Sequence, residues 1–237
     1  MKRLLRGLPV TFSKNQRYDR LTERIIRTHL RPGDNCVDVG AHRGEIFELF
    51  LKQSPAGRHF AFEPIPDLFK GLQKKYGRYS NCSIFQLALA NKSGYSTFNY
   101  VITNPAYSGI RKRRYDRKNE QDTQIEVRTA RMDDVIPADI PIHFIKIDVE
   151  GGEMDVLRGA QRVLSSYRPI IVFECGLGGS DIYGTTPQDI YSFFEGLQYR
   201  ISLLDDFVNR RSALSLPDFV RQFEQNENYY FVAHSQE

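Results

Sequence analysis

The sequence has little that would bridge, anchor or repeat. Its 237 residues hold three cysteines, Cys36, Cys82 and Cys175. They lie in separate apolar segments with no C-x-x-C pair, which excludes the spacing of a dithiol redox centre or a structural zinc site. They are expected as reduced core residues of a cytoplasmic protein. No run approaches the ~18 to 20 apolar residues that a membrane span needs, and the basic start MKRLLRGLPVTFSKNQR lacks the apolar stretch of a secretion signal. At most that start offers peripheral membrane contact. Repeats and low-complexity tracts are absent. Charge of one sign is scarce too, since a net +4 is modest for this length and does not by itself indicate a nucleic-acid partner.

What is present is alternation. A 41% hydrophobic fraction suffices for one well-cored domain over 1–237, with a helical lead-in over 1–33 and the core over 34–237. Short β-branched runs predict strands at Cys36–Val39, His59–Glu63, Ser83–Leu89, His143–Asp148, Ile170–Glu174, Tyr199–Leu204 and Tyr229–Ala233. Amphipathic segments predict helices at Arg17–Leu30, Glu45–Gln53, Asp67–Tyr76, Gly152–Ser165 and Pro187–Gly196. An insert around 94–131 contains STFNYV and QIEVRTA, which alternate like an antiparallel pair. Strands interleaved with helices, joined by right-handed crossovers, give an α/β doubly wound sheet of about seven strands. It is expected to be mostly parallel, with the insert ahead of the fourth core strand and the site at the strands' C-terminal edge.

VDVGAHRG, residues 37–44, joins the first strand to its helix. A dinucleotide turn needs G-x-G-x-x-G, but counting from Gly40 the third position is His42 and the sixth is Glu45. That argues against a nicotinamide cofactor. The spacing present, D-x-G-x-x-x-G from Asp38 to Gly44, resembles the turn of class I S-adenosylmethionine-dependent methyltransferases. Gly40 lets the backbone approach a ligand, and Gly44 permits close strand-to-helix contact. His42 is tolerable because histidine is enriched among non-glycine residues at positive φ. AFEP, residues 61–64, ends the second strand with Glu63, a carboxylate able to accept from both ribose hydroxyls. Asp38 either holds the turn's amides or contacts the methionine end of a cofactor.

FIKIDVEGGE, residues 144–153, runs an apolar strand into a second acidic cluster. In extended chain Lys146, Asp148 and Glu150 share one side, opposite Ile145, Ile147 and Val149. Such convergence marks either a functional site or a structural ion-pair network. Glu153 is expected as a helix-dipole acid in the first turn. His42, His59 and His143 are expected to be structural, the last two at the far edge of the sheet.

In this order the motifs resemble the FkbM family of methyltransferases. VDVGAHRG, AFEP, LALANKSGYSTF and IKIDVEGGEMDVLRGA followed by PIIVFE carry the resemblance, over roughly Tyr18 to Glu174. His42 replaces an asparagine, and MDD at 132–134 replaces LDD. The resemblance implies a Rossmann-like class I fold and S-adenosyl-L-methionine as cofactor, held by Asp38, Gly40, Ala41, His42, Gly44, Glu63, Pro64, Ala88 and Asp148. It also implies methylation of a hydroxyl oxygen on a sugar, glycan or natural-product scaffold. Asp148, Glu150 and Glu174 are the candidate catalytic bases, Asp148 first. Three carboxylates also suit a hard cation such as Mg²⁺ or Ca²⁺, but no metal is assigned.

Two alternatives stay open. FNYVITNPAY, residues 98–107, imitates the N-P-P-[YF] motif that grips an amino group, which would mean N-methylation of a protein or nucleic acid. A non-catalytic cofactor-binding protein could keep the same fold. In the preferred reading Asn104, Tyr107 and Ser108 belong to an insert loop near the acceptor. RKRRYDRK, residues 111–118, packs six basic residues into eight; it is either a solvated loop tip or a receiver for an acidic acceptor. Nucleic acid is disfavoured because only Tyr107 and Tyr115 offer stacking nearby. ECGLGGSDIYGTTP, residues 174–187, is either a lid or a plain connector.

Overall fold

The structure is a computed structural model that describes residues 13–115 and 119–235. Most of the basic start and residues 116–118 of the basic run lie outside the described residues.

Strands β1 (Cys36–Val39), β2 (His59–Phe62) and β3 (Cys82–Phe85) form one half of a parallel sheet. A short β4 (Ala88–Leu89) and a hairpin, β5 (Gly94–Val101) with β6 (Asp122–Ala130), form a separate three-stranded sheet. The chain then returns as β7 (Phe144–Ile147) beside β1, followed by β8 (Ile170–Glu174), β9 (Tyr199–Leu203) and β10 (Tyr230–Ser235). The seven-stranded order is β3-β2-β1-β7-β8-β10-β9, with β10 antiparallel to both neighbours. The order reverses between β1 and β7, so their C-terminal ends open the crevice where ligands bind in doubly wound sheets.

Alternation along the strands divides the core. Val37, Val39, Ile145 and Ile147 face one apolar layer, while Cys36 and Phe144 face the other. The same alternation puts Asp38 and Lys146, paired in register, on the Cys36 face. Eight phenylalanines are below 2% exposed, including Phe47, Phe62, Phe144 and Phe173. Each contributes about 1.5 to 3 kcal/mol relative to exposure, an upper estimate against a compact unfolded chain.

Nine α-helices cover the described chain. α1 (Lys14–His29) starts at a Ser13 capping box with Gln16. α2 (Glu45–Gln53) and α3 (Pro66–Tyr76) follow β1 and β2 as expected. α4 (Met132–Val135) was not anticipated; its Asp133 caps the helix that starts at Gln161 by accepting from Arg162 N (2.9 Å) and Val163 N (3.1 Å). The single helix expected over Gly152–Ser165 is therefore two, α5 (Glu153–Arg158) and α6 (Gln161–Tyr167). Between them Gly159 lies so near Ala90 that a Cβ would stand 2.1 Å from its carbonyl oxygen. α7 (Pro187–Gly196), α8 (Leu204–Val208) and α9 (Leu216–Glu224) complete the set. The strand expected over Ser83–Leu89 also divides, because Gln86 and Leu87 carry the chain from the large sheet to the small one.

All three cysteines are free; Cys36 and Cys175 are buried and Cys82 half-buried. His59 Nε2 meets Ser54 O at 2.8 Å, and His143 Nδ1 accepts from Asn35 N at 3.0 Å, so both histidines are tied to loops at the sheet's N-terminal edge. No helix among the described residues is long and apolar enough to cross a membrane.

Candidate functional site

At the C-terminal edge of β1, β2 and β7 lies a cavity of about 530 Å³, walled by α1 and α2 on one side and the small sheet on the other. One end is built on the glycine turn. Gly40 N and Ala41 N both donate to Phe62 O, at 3.0 and 3.1 Å, tying the turn to β2. Gly40 has φ +76°, and a Cβ there would stand 1.9 Å from Asp148 O, so the neighbouring strand already demands glycine before any ligand arrives. His42 takes φ +49°, as its position required. Gly44 does not line the cavity; a Cβ on it would press to 2.8 Å on Leu72 and Tyr76, which makes it a packing residue.

Glu63 is 4% exposed and lines the same end. Its Oε2 accepts from His42 N and its Oε1 from Ile65 N, both at 2.9 Å. Burial pushes its carboxyl up to about 7, opposed by those two amides. Asp38 is 1% exposed, and neither of its carboxylate oxygens has a hydrogen-bonding partner. Burial raises it to about 6 against the pull of Lys146 and, more weakly, of the nearby Phe47 amide, which stands outside hydrogen-bonding geometry. A buried, partnerless carboxylate facing a cavity is costly unless a ligand donor completes it. Pro64, Leu87, Ala88 and Phe98 add an apolar wall.

The other end is the acidic cluster. Lys146 Nζ lies 3.0 Å from Asp148 Oδ2, and the Tyr230 hydroxyl donates to the same oxygen at 2.5 Å. Burial opposes charge on Asp148, but Lys146 and Tyr230 outweigh it and hold the carboxyl below its ordinary value. Glu174 goes the other way: burial and the charges of Asp148 and Glu153 push it well above its ordinary value, and it does not line the cavity. Asp148 and Glu150 do line it and are the candidate bases that face a ligand. The expected alternation stops at Asp148, since Glu150 sits in a turn with φ +59° and its carboxylate is paired with Arg113.

Glu153 stands in the first turn of α5 as expected, and it does more than complement the dipole. It is 1% exposed, and its Oε1 accepts from Val149 N and Gly151 N at 3.1 Å each, pinning the loop that carries Asp148 and Glu150. Carboxylate atoms of Asp148, Glu150 and Glu174 approach within 4.8 Å of one another. Lys146 and Arg113 already balance this cluster, and no metal is assigned to it.

The insert contributes differently from expectation. Ser108 lines the cavity, but its hydroxyl accepts from Val101 N at 2.9 Å; Asn104 and Tyr107 do not line it. NPAY falls in a 3-10 turn in the loop that joins β5 to β6 of the small sheet. The fourth core position beside β1 belongs to β7, so the topology that amino-group methylation by NPAY required is not present. Of the basic run, Lys112 pairs with Asp122, Arg113 with Glu150, and Arg111 lies over the Tyr183 ring at 5.2 Å. Tyr107 and Tyr115 stack on each other, 6.1 Å apart and 6° from parallel. The 174–187 loop packs on the acidic loop: Gly151, at φ +109°, would meet Gly179 at 2.6 Å with any Cβ, and Tyr183 lines the cavity.

Several lining residues escaped the sequence. Lys146 was visible in the motif but not assigned a role, and Asp19, Thr22, Tyr183 and Tyr230 reach the cavity from distant segments. Only NENYYFVAHS, an alternating run ending near the C-terminus, carried a signal for Tyr230.

The Methyltransferase FkbM domain family matches residues 38–201. The chain is 26% identical over 157 residues to 2-O-methyltransferase NoeI of Sinorhizobium fredii, covering 61% of this chain and 65% of that protein. It is 27% identical over 153 residues to Methyltransferase sdnD of Sordaria araneosa, covering 52% and 59%. It thus spans less than two thirds of the length of these curated relatives. A solved structure of Methyltransferase FkbM from Methylobacillus flagellatus KT shares the fold with a TM-score of 0.55 at 19% identity, covering 86% of this chain and 44% of that one. With the glycine turn, the second-strand acid and the FIKIDVEGGE block all on one sheet edge, the chain belongs to the FkbM methyltransferase family.

Proposed function

We propose that the protein transfers a methyl group from S-adenosylmethionine to a hydroxyl oxygen of a small molecule or glycan. The observation that carries this is the pairing, across one cavity, of a partnerless buried carboxylate with an ion-paired one. Asp38 and Glu63 offer acceptors for the donor's ammonium and ribose groups, and the Pro64, Ala88 and Phe98 wall suits a purine. His42 and Ala41 form the turn beneath. Bound there, the donor supplies a methyl carbon on a sulfonium, and a cavity rich in carboxylates suits that positive charge.

Asp148 would accept the proton of the attacking hydroxyl. The C–O bond forms as the C–S bond breaks, and the oxygen becomes strongly acidic as it gains the methyl group. A carboxylate held below its ordinary pKa is therefore basic enough, and alignment supplies the rest. Glu150, fixed by Arg113, is placed to orient acceptor hydroxyls. The lining acids Asp19, Asp148 and Glu150 favour a neutral, hydroxyl-rich acceptor over an acidic one. A relative named as a 2-O-methyltransferase supports oxygen as the methylated atom.

Calorimetric titration of the protein with S-adenosylmethionine and separately with NAD tests the donor. Micromolar binding of the first alone, weakened in Glu63→Ala, is expected; binding of NAD or of neither removes the proposal. Release of S-adenosylhomocysteine with a panel of neutral and uronic sugars then tests the acceptor class.

A further inference from the structure

We propose that Tyr230 is a positioning residue for Asp148: its hydroxyl fixes Oδ2 together with Lys146, and so turns the carboxylate toward the acceptor. This rests on the methyl-transfer reading above. Tyr230 lies beyond residue 201, where the family match ends, and comes from β10, the antiparallel strand of the sheet.

The geometry is specific. Both the 2.5 Å bond from Tyr230 and the 3.0 Å contact from Lys146 fall on Oδ2, and Oδ1 takes part in neither. Two donors on one oxygen fix the carboxylate plane, which a single contact from a flexible lysine does not. Tyr230 is held in turn. Its ring packs against Tyr18 of α1 at 5.2 Å, and Tyr18 meets Tyr229 edge-on at 4.9 Å. The Tyr18 hydroxyl donates to Asn228 Oδ1 at 2.9 Å, tying the helix to the segment that enters β10. Register places Tyr230 opposite Glu174 on β8, so the ring stands over the acidic cluster from the side that β7 leaves open. Two elements outside the matched segment, α1 and β10, thereby complete the reacting end.

The groups acting on Asp148 come from every neighbouring element: Lys146 on β7, Asp38 on β1, Glu174 on β8, Glu153 on α5, Asp19 on α1 and His42 in the glycine turn. Lys146 is the cation in this set; the Glu174 carboxyl also hydrogen-bonds Asp148, and Tyr230 is the phenol that donates to Oδ2 beside Lys146. Loss of the phenol hydroxyl leaves the same acids in place with one donor fewer, so Asp148 must bind its proton more tightly.

The test is the titration of Asp148 in protein carrying ¹³C-labelled aspartate carboxyls, its resonance assigned by its loss in Asp148→Asn. Tyr230→Phe keeps the ring against Tyr18 and is expected to raise the Asp148 midpoint by about one pH unit, tenfold in proton affinity. Tyr95→Phe removes an exposed hydroxyl outside this network, and is expected to leave the midpoint in place. An unchanged midpoint in Tyr230→Phe, or equal shifts in both variants, overturns the proposal. Should Tyr230→Phe not fold, ¹³Cζ-tyrosine labelling of Asp148→Asn gives a second measurement. The Tyr230 resonance is expected to move and its hydroxyl to titrate at lower pH than in wild type; a resonance indifferent to Asp148 overturns the proposal equally. Because both titrations are read without S-adenosylmethionine, failure of the wild type to bind that donor would sink the methyl-transfer reading separately.

Discussion

The two ends of the cavity are made in different ways. At the glycine turn, residues 38 to 65 build nearly everything: two amides donate to Phe62 O, and Glu63 holds the amides of His42 and Ile65. At the acidic end, Asp148 is held by Tyr230, 82 residues away. Glu150 is held by Arg113 of the insert, and the loop between them by Glu153. The first end is a backbone device with local closure. The second is a side-chain device that exists only once distant elements have docked, and so depends on the whole fold. Electrostatics cuts across this division, since burial also pushes up Glu153 and Glu174 at the acidic end and Asp148 is the exception. Glu63 and Asp38 are pushed up by burial, to about 7 and about 6, while Asp148 is held down by a lysine and a phenol.

Substitutions can break this comparison. Asp148→Asn keeps the shape of the acidic end and removes its proton acceptor. Turnover is expected to fall by about 10²- to 10⁴-fold with donor affinity retained, measured by S-adenosylhomocysteine release and calorimetry. Equal loss of both would make Asp148 a binding residue. Gly40→Ala attacks both ends together, because its Cβ meets Asp148 O. A stability loss of about 3 kcal/mol or more is expected by urea denaturation, and a loss under about 1 kcal/mol would show that β1 and β7 can separate locally.

Glu63→Ala should act on the glycine-turn end alone, weakening the donor by about 10- to 100-fold, the value of hydrogen bonds to a charged group. Arg113→Ala leaves Glu150 without its cation in a partly exposed place. It is expected to destabilise by about 1 to 2 kcal/mol, seen as a lower melting temperature that Arg113→Ala with Glu150→Gln partly restores.

The pH response probes Glu63 without mutation. Glu63 and Glu153 bind protons more tightly folded than unfolded, each with a pKa raised to about 7 from 4.5. Between about pH 4.5 and 7 the folded state therefore holds more protons, so the unliganded protein gains stability as pH falls through that window and loses it as pH rises. Asp148, held below its ordinary value, has the opposite sign, and its contribution is lost only on more acidic solution. Ribose binding needs Glu63 ionised, so donor affinity is expected to rise with pH toward 7 while unliganded stability declines. Melting and calorimetric curves at pH 5, 6 and 7 check both slopes; parallel slopes would remove Glu63 from the ribose site.

Legibility followed the same line as construction. The strands β1, β2, β7 and β8 were readable because short runs such as CVDV and FIKI are mostly apolar and lead into acids or glycines. So was the insert hairpin, whose period of two is local. The helix expected over 152–165 failed at Gly159, where the reason to break is the Ala90 carbonyl and the new start is capped by Asp133. α9 went unread although Ser215 and Pro217 mark its start and Phe219 and Phe223 its buried face. Among site residues, Asp38, Gly40 and Glu63 were found because turn chemistry ties them to fixed offsets. Asn104 and Tyr107 were misplaced because nothing local says which side of a hairpin faces a cavity.

By itself the sequence determined the class of fold and the identity of the glycine turn, the second-strand acid and the acidic block. Those features depend on strand periodicity, positive φ and short-range hydrogen bonds, all of which act within a few residues. Tertiary structure alone decided how each acid holds its proton. Asp148 and Glu174 are both carboxyls at strand ends, yet one is held below its ordinary pKa and the other pushed well above it. The difference comes from Lys146, Tyr230 and burial, since the field at a carboxylate is set by the neighbours folding brings within a few ångströms.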